Sequence, residues 1–397
     1  MGYRRLATRP VLVWGLVAFG ARLPVAMAPL ALVFLVRERP GGYAMGAGLA
    51  AAYVVGEVVG AAVLGARLRP DRARRQLAAG LAVGACAFAG LGLLPHAHPL
   101  VLGALALLAG AAPAAATGGL RTLLTSQLPE DLVVQALSAE SVLTYAIWAV
   151  SPALAGVLAL NLAPHLPLLL AAVSMAAATA GLWALPAGWV APADDRGGAS
   201  MARTLLRAWP VYVTGAAAMS LLASAELVLP ALLEQRAIGV GWAGPLLAGF
   251  SVASAAGAAL YGLRGSWPGS LRAQSLVLLS GVAGCVALTA TAGSLPWIAG
   301  ALLVAGLLQP GVMLTRALSL REALPPGAHA AGYSLMYAAT GVGYATSAAL
   351  AGAVQSAATA SVAVLAGVGL TLLLIAASAS GELHALRRPR RPGRPGR

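Results

Sequence analysis

The sequence predicts an all-α integral membrane protein, with twelve transmembrane helices arranged as two pseudo-symmetric six-helix halves. Three observations carry that expectation. Of the 397 residues, 59% are hydrophobic and only 10% are charged, which a soluble domain could not keep wet but a chain surrounded by lipid requires. The apolar residues fall into segments close to the roughly 20 residues that cross a bilayer as a helix. A string of small residues also recurs. Gly60, Gly65 and Arg67 return as Gly257, Gly262 and Arg264, each 197 positions later and each where an apolar segment runs out into a basic loop. Self-similarity at half the chain length marks a duplicated membrane fold.

Taken in order, residues 1–10 form a basic N-terminus with Arg4, Arg5 and Arg9. The apolar segments that follow lie at about 11–36, 44–66, 77–95, 100–120, 138–160, 166–185, 210–233, 242–263, 273–292, 295–315, 330–354 and 357–380. The first is too long for the apolar core of a signal peptide, so it reads as an uncleaved span. Short connections carry turn chemistry, as at Pro40-Gly41-Gly42 and Pro95-His96. A longer stretch, 187–209, contains Asp194, Asp195 and Arg196 and reads as a linker between a first half (11–186) and a second (210–380). Residues 381–397 form a basic tail.

The formal net charge of +14 does not point to nucleic acid, because the basic residues sit in short loops between apolar runs rather than on one folded face. All 26 are arginine and none is lysine, a usage that suggests a GC-rich bacterial genome. With the N-terminus in the cytoplasm, 22 of them fall on the cytoplasmic side and three (Arg37, Arg39, Arg236) outside, while Arg22 lies within the first span. By the positive-inside rule this predicts a multi-pass protein of the inner or plasma membrane with both termini cytoplasmic. The tail from Arg387 to Arg397 has no apolar residue with which to build a core beyond its start, and is expected to be disordered against anionic headgroups. Cys86 and Cys285 read as small apolar residues. His96 and His98 lack a third ligand, so no metal is expected. The sequence has no phosphate-binding glycine loop, no nucleophile with a partnered base and no zinc-protease motif, so it does not read as an enzyme.

Two segments carry a family resemblance. After the second span, Asp71-Arg72 and Arg74-Arg75 follow the second half of the loop pattern G-x-L-A-D-R-x-G-R-R/K without its second glycine, and Gly65 stands two residues ahead of the place of its first. In the fifth span Ser151, Pro152 and Gly156 follow G-x-x-x-G-P-x-x-G-G, with Ile147 in place of the first glycine. With two six-span halves and a central linker, the chain resembles the major facilitator superfamily from about residue 10 to 380. The resemblance implies secondary transport by alternating access, a conformational latch at the loop, and an exporter-type fifth span. It also implies that spans one and seven line a central cavity, while spans three, six, nine and twelve face lipid.

Ionisable residues inside spans are costly and therefore mark function. Those four lipid-facing spans carry none well inside them, whereas Arg22, Glu57, Glu140 and Glu226 lie in spans one, two, five and seven. Arg22 and Glu57 stand at similar depth on neighbouring spans and read as an ion pair. Glu140, near the inner end of its span, reads as a helix cap or a partner of the arginines after span two. Arg121 and Arg316, at the cytoplasmic ends of spans four and ten, read as topogenic anchors. Glu226, surrounded in sequence by apolar residues, is the expected proton carrier. Tyr53, Tyr145, Trp148, Tyr212, Gln309, Tyr337 and Tyr344 are candidate cavity residues. The expectation is a monomeric, cofactor-free transporter, driven by a proton gradient and exporting a small, partly hydrophobic organic molecule. An importer on the same fold, and a receptor or assembly protein that does not transport, are the alternatives.

Overall fold

A computed structural model describes residues 2–39, 42–188, 200–264 and 267–387. The turn at Pro40-Gly41, the linker around Asp194 and the tail from residue 388 lie outside the described residues. Twelve long helices form the molecule: α1 (Arg9–Val36), α2 (Gly42–Ala66), α3 (Ala73–Leu93), α4 (Pro99–Ala111 continued by Ala115–Ser126), α5 (Val133–Asn161), α6 (Leu166–Gly181), α7 (Trp209–Gln235), α8 (Ala243–Leu263), α9 (Leu271–Thr291), α10 (Leu295–Ala323), α11 (His329–Gln355) and α12 (Ala360–Arg387). They start and stop as the sequence predicts to within a few residues, except that α5 begins earlier, α4 and α10 run on past their apolar stretches, and α12 continues to Arg387, into the stretch expected to be a disordered tail. Pro113 lies at the break in α4, where a missing N–H and a bulky ring cannot continue the ladder. Twelve crossings bring both termini out on one side of the bundle, the terminal side.

Helix pairings in the first half return in the second. The pairs α1–α5, α1–α6, α2–α4, α3–α4 and α3–α6 are matched by α7–α11, α7–α12, α8–α10, α9–α10 and α9–α12. The recurring glycine string has a physical role in this plan. Gly56 and Gly60 of α2 lie against the backbone of Leu107 and Ala111 in α4, and Gly257 of α8 lies against the backbone of Leu307 in α10. A Cβ at Gly60 or Gly257 would sit inside the neighbouring carbonyl, so only glycine lets the helices approach this closely.

Eleven of the twelve helices are both long and apolar enough to cross a membrane. The remaining one, α11, has the length but carries Tyr333, Ser334, Tyr337, Thr340 and Tyr344 along it. Its surroundings explain the polarity: α11 packs against α2 and α4 of the first half as well as against α7 and α12 of its own. With α5 against α8, these contacts make the seam between halves.

The seam is closed at the terminal side. There Val133 and Leu137 of α5 pack with Tyr212, Leu314, Leu320 and Met336 of the second half. Ser334 of α11 sits between Gly65 of α2 and Gly118 of α4, and a Cβ on either glycine would collide with it. Glu130, in the turn before α5, pairs with Arg321 at the end of α10 at 2.6 Å. Among the described residues, α1 and α7 make no comparable contact with each other.

Candidate functional site

The polar centre of the first half is a three-residue charge cluster. Glu140 of α5 is fully buried and serves two arginines. Arg121 of α4 donates from Nε to both carboxylate oxygens, at 2.7 and 3.0 Å. Arg22 of α1, 9% exposed, donates from Nη2 to Oε1 of Glu140 and from Nη1 to Thr144 Oγ1 at 3.0 Å. Each guanidinium is backed by an aromatic ring, Arg22 over Trp14 at 5.8 Å and Arg121 over Tyr333 at 5.4 Å. Trp14 is itself fixed by a 2.7 Å bond from Nε1 to the Leu120 carbonyl.

This arrangement corrects three sequence expectations. Arg22 does not pair with Glu57: α2 and α5 both pack against α1, and the guanidinium turns to Glu140 while Glu57 is taken by Tyr337. Glu140 neither caps its helix nor meets the arginines after α2, and Arg121 is no simple anchor, since its side chain turns inward to the carboxylate. Sequence reasoning missed Arg121 because it sits near a helix end; the presence of a second charge, Glu140, at similar depth on the next helix was the available clue.

Glu57 takes a different partner. Tyr337 of α11 donates its hydroxyl to Glu57 Oε1 at 2.7 Å, across the seam between the halves. Glu57 also lines a small recess with Arg22, Ala21, Gly110, Ala114 and Thr117, so acid and arginine share a wall without pairing. Seven residues along α11 from Tyr337, on the same helix face, Tyr344 stands against Glu226 of α7. The two tyrosine–glutamate contacts are separated by about 10 Å along α11, at 1.5 Å per residue.

No family model and no curated relative matches the sequence. Solved structures do match. The human organic anion transporter MFSD10 aligns over 92% of this chain and 96% of its own, at 17% identity and a TM-score of 0.70. A bacterial homologue of the iron transporter ferroportin, in an outward-facing state, aligns over 94% and 98% at 16% identity with a TM-score of 0.73. The major facilitator superfamily transporter FucP, in the outward conformation, aligns over 96% and 99% at 13% identity with a TM-score of 0.71. The fold is that of the major facilitator superfamily.

Within this superfamily fold the loop pattern and the fifth-span pattern acquire positions. Asp71 lies 3.4 Å from Arg69 and 3.6 Å from Arg72, all three exposed, so its partners are on its own loop. Arg74 donates to the carbonyl of Leu185 at 3.2 Å and lies 4.7 Å over Trp183, tying the loop to the end of α6 in the same half. Arg75 is exposed. Of the five loop residues, Gly65 is the one that meets the second half, at Ser334. In α5, Ser151 is buried and bonds back to the Ile147 carbonyl at 2.6 Å. Ala155 and Ile147 pack with Leu23, Ala26 and Met27 of α1. Pro152 is exposed, and nothing lies within 4 Å of a Cβ at Gly156. The small residues buried on this face of α5 are Ser151 and Ala155, while Gly156 meets no neighbour.

The remaining candidates separate by environment. Tyr53 is buried with its ring 6.1 Å from Phe88, a packing contact between α2 and α3. Gln309 is buried and donates to the Ala218 carbonyl at 3.1 Å, joining α10 to α7. Tyr212 belongs to the apolar seam. Tyr145 is half-buried, and Trp148, one turn further along α5, is 52% exposed. His98 caps α4, its Nδ1 accepting from Leu100 N at 3.3 Å.

Proposed function

We propose that the chain is a secondary transporter that works by alternating access and exports a small, partly hydrophobic organic molecule in exchange for protons. The observation that carries this reading is the Tyr337–Glu57 bond. It places an acid of one half under the hold of a neutral hydroxyl of the other, in a seam that must part when the halves rock. A carboxylate held by an arginine stays ionised, whereas one held only by a hydroxyl in apolar surroundings is free to exchange a proton as its exposure changes. Glu226, facing Tyr344, has the same character, so Glu57 joins Glu226 as a carrier. The arginine distribution supports a cytoplasmic terminal side. The closed seam would then make this an outward-facing arrangement, like those of the ferroportin homologue and FucP.

The test is transport in vesicles reconstituted with purified protein. Hits from a thermal-shift screen of amphipathic organic molecules, chosen because binding stabilises the native state, would be assayed for uptake driven by a proton gradient. Glu226→Gln and Glu57→Gln should each abolish accumulation against the gradient while leaving counterflow exchange partly intact. Full accumulation by the double variant would refute proton coupling at these residues. Cysteines introduced at Arg75 and His96, labelled in intact cells with an impermeant reagent, check the orientation: only the one at 96 should react.

A further inference from the structure

The cluster around Glu140 is not electrically balanced. Arg121 engages both oxygens of the carboxylate, and Arg22 must share one of them, so two guanidiniums lean on a single negative charge. Burying an uncompensated charge is expensive unless a counter-charge can reach it. The carboxylates nearest this one along the seam are committed elsewhere, Glu57 to the hydroxyl of Tyr337 and Glu226 beside Tyr344. Arg22 itself is nine-tenths buried and forms part of the wall of the recess, whose other lining beside Glu57 is mostly apolar and includes Val25, Gly110, Pro113, Thr117 and Leu120. Its guanidinium is held in one plane by Trp14 at 5.8 Å, by Thr144 at 3.0 Å and by Glu140. One N–H on each terminal nitrogen is used in those bonds, and Nε and the second N–H of each remain. A fixed guanidinium edge of this kind, at a narrow apolar recess, matches the planar oxygen pair of a carboxylate better than a compact ammonium or a neutral hydroxyl.

We propose that the transported molecule is an organic carboxylate whose acid group enters the recess and binds Arg22, while Arg121 keeps Glu140 from neutralising it. This rests on the transporter reading and gives it a substrate class. The carboxylate gives Arg22 a bound counter-charge of its own in place of the one it shares with Arg121 at Glu140. Glu57, on the same wall, opposes the bound acid when ionised, and the proton exchanged for the ligand is the one carried by Glu226.

Three probes with one carbon skeleton test the idea: 3-phenylpropionate, 3-phenylpropanol and 3-phenylpropylamine, each at millimolar concentration with the full-length protein in detergent. The carboxylate should raise the unfolding temperature, and the alcohol and amine should not. Arg22→Lys, which keeps the charge but loses the planar edge, should weaken the carboxylate's binding at least tenfold by titration. Should that variant fail to fold, Glu57→Gln gives an independent reading and should tighten carboxylate binding several-fold. Stabilisation by the amine alone, by none of the three, or a Glu57→Gln protein that binds the carboxylate no better than the parent would overturn the assignment. Vesicle flux separates the two levels: amine transport without carboxylate transport removes the substrate class and leaves the transporter, whereas a protein that moves no solute in the full screen removes both.

Discussion

The two halves share a scaffold and differ in what they bury. The 197-residue offset that carries Gly60 to Gly257 also carries Pro113 to Pro310, Glu140 to Tyr337 and Glu57 to Ser254. In the first half these positions build a charged interior of Arg22, Arg121, Glu140 and Glu57. In the second, the buried charge among the described residues is Arg316 of α10, 1% exposed, which donates to the Leu271 carbonyl at 3.2 Å and is no simple anchor either, and the other buried polar contacts between helices are neutral. Thr214 pairs with Ser378 and Ser224 with Ser347, each at 2.6 Å, and Gln309 donates to a carbonyl. A duplicated fold has kept its close helix approaches while the chemistry at equivalent places has diverged. The comparison leaves most of the buried charge with the first half and gives the other half a hydroxyl-bearing helix, α11, that meets Glu57 across the seam.

That division can be broken experimentally, and the largest effect should come from the charged half. Glu140→Ala leaves Arg22 and Arg121 buried without a counter-charge and should cost about 3–5 kcal/mol, seen as loss of monodisperse protein and a collapsed thermal transition. Tyr337→Phe, at the position equivalent to Glu140, should leave the fold intact; a comparable collapse there would erase the contrast between halves.

The seam sharpens the comparison further. Gly118→Val places side-chain atoms where Ser334 and the Ala330 carbonyl now sit. The helices should then fail to close at the terminal side, and thiols introduced near Val133 should label faster. Ser224→Ala in the second half removes one neutral bond and should cost about 1 kcal/mol, measured by denaturation in mixed detergent. The smallest effect belongs to Asp71→Asn. Its partners are exposed arginines on the same loop, so the stability change should stay within about 0.5 kcal/mol, with labelling at the seam unaltered. A large shift in labelling would restore the latch role that the loop pattern implies.

Much of this architecture could be read from the residues. Helix number, the two halves and the depth of the buried charges follow from hydropathy, because lipid forces every spanning segment to satisfy its own backbone. The glycine string was visible as a repeat, though its role in seating α2 on α4 and α8 on α10 was not. Pairing was less legible. Depth along a helix can be counted, but the direction a side chain faces depends on helix rotation, which two neighbouring apolar segments do not reveal. Arg22 and Glu57 were thus matched by depth, although α2 and α5 both pack against α1 and the acid that faces Arg22 is Glu140. The polarity of α11 could have been noticed in advance: its tyrosines and hydroxyls make it the least apolar of the twelve, as a helix buried between halves can afford to be.

Ser334 shows what such a seam implies for motion. Gly65 and Gly118 make a socket that its backbone and Cβ fill, yet its buried hydroxyl finds no partner among the described residues. A buried hydroxyl left unbonded costs about 1–3 kcal/mol, and every 1.4 kcal/mol is tenfold in an equilibrium. Opening the seam would let water reach that oxygen and refund the penalty. The closed arrangement is thus tight in shape but penalised in energy at this one serine, a cost that parting the two halves would remove.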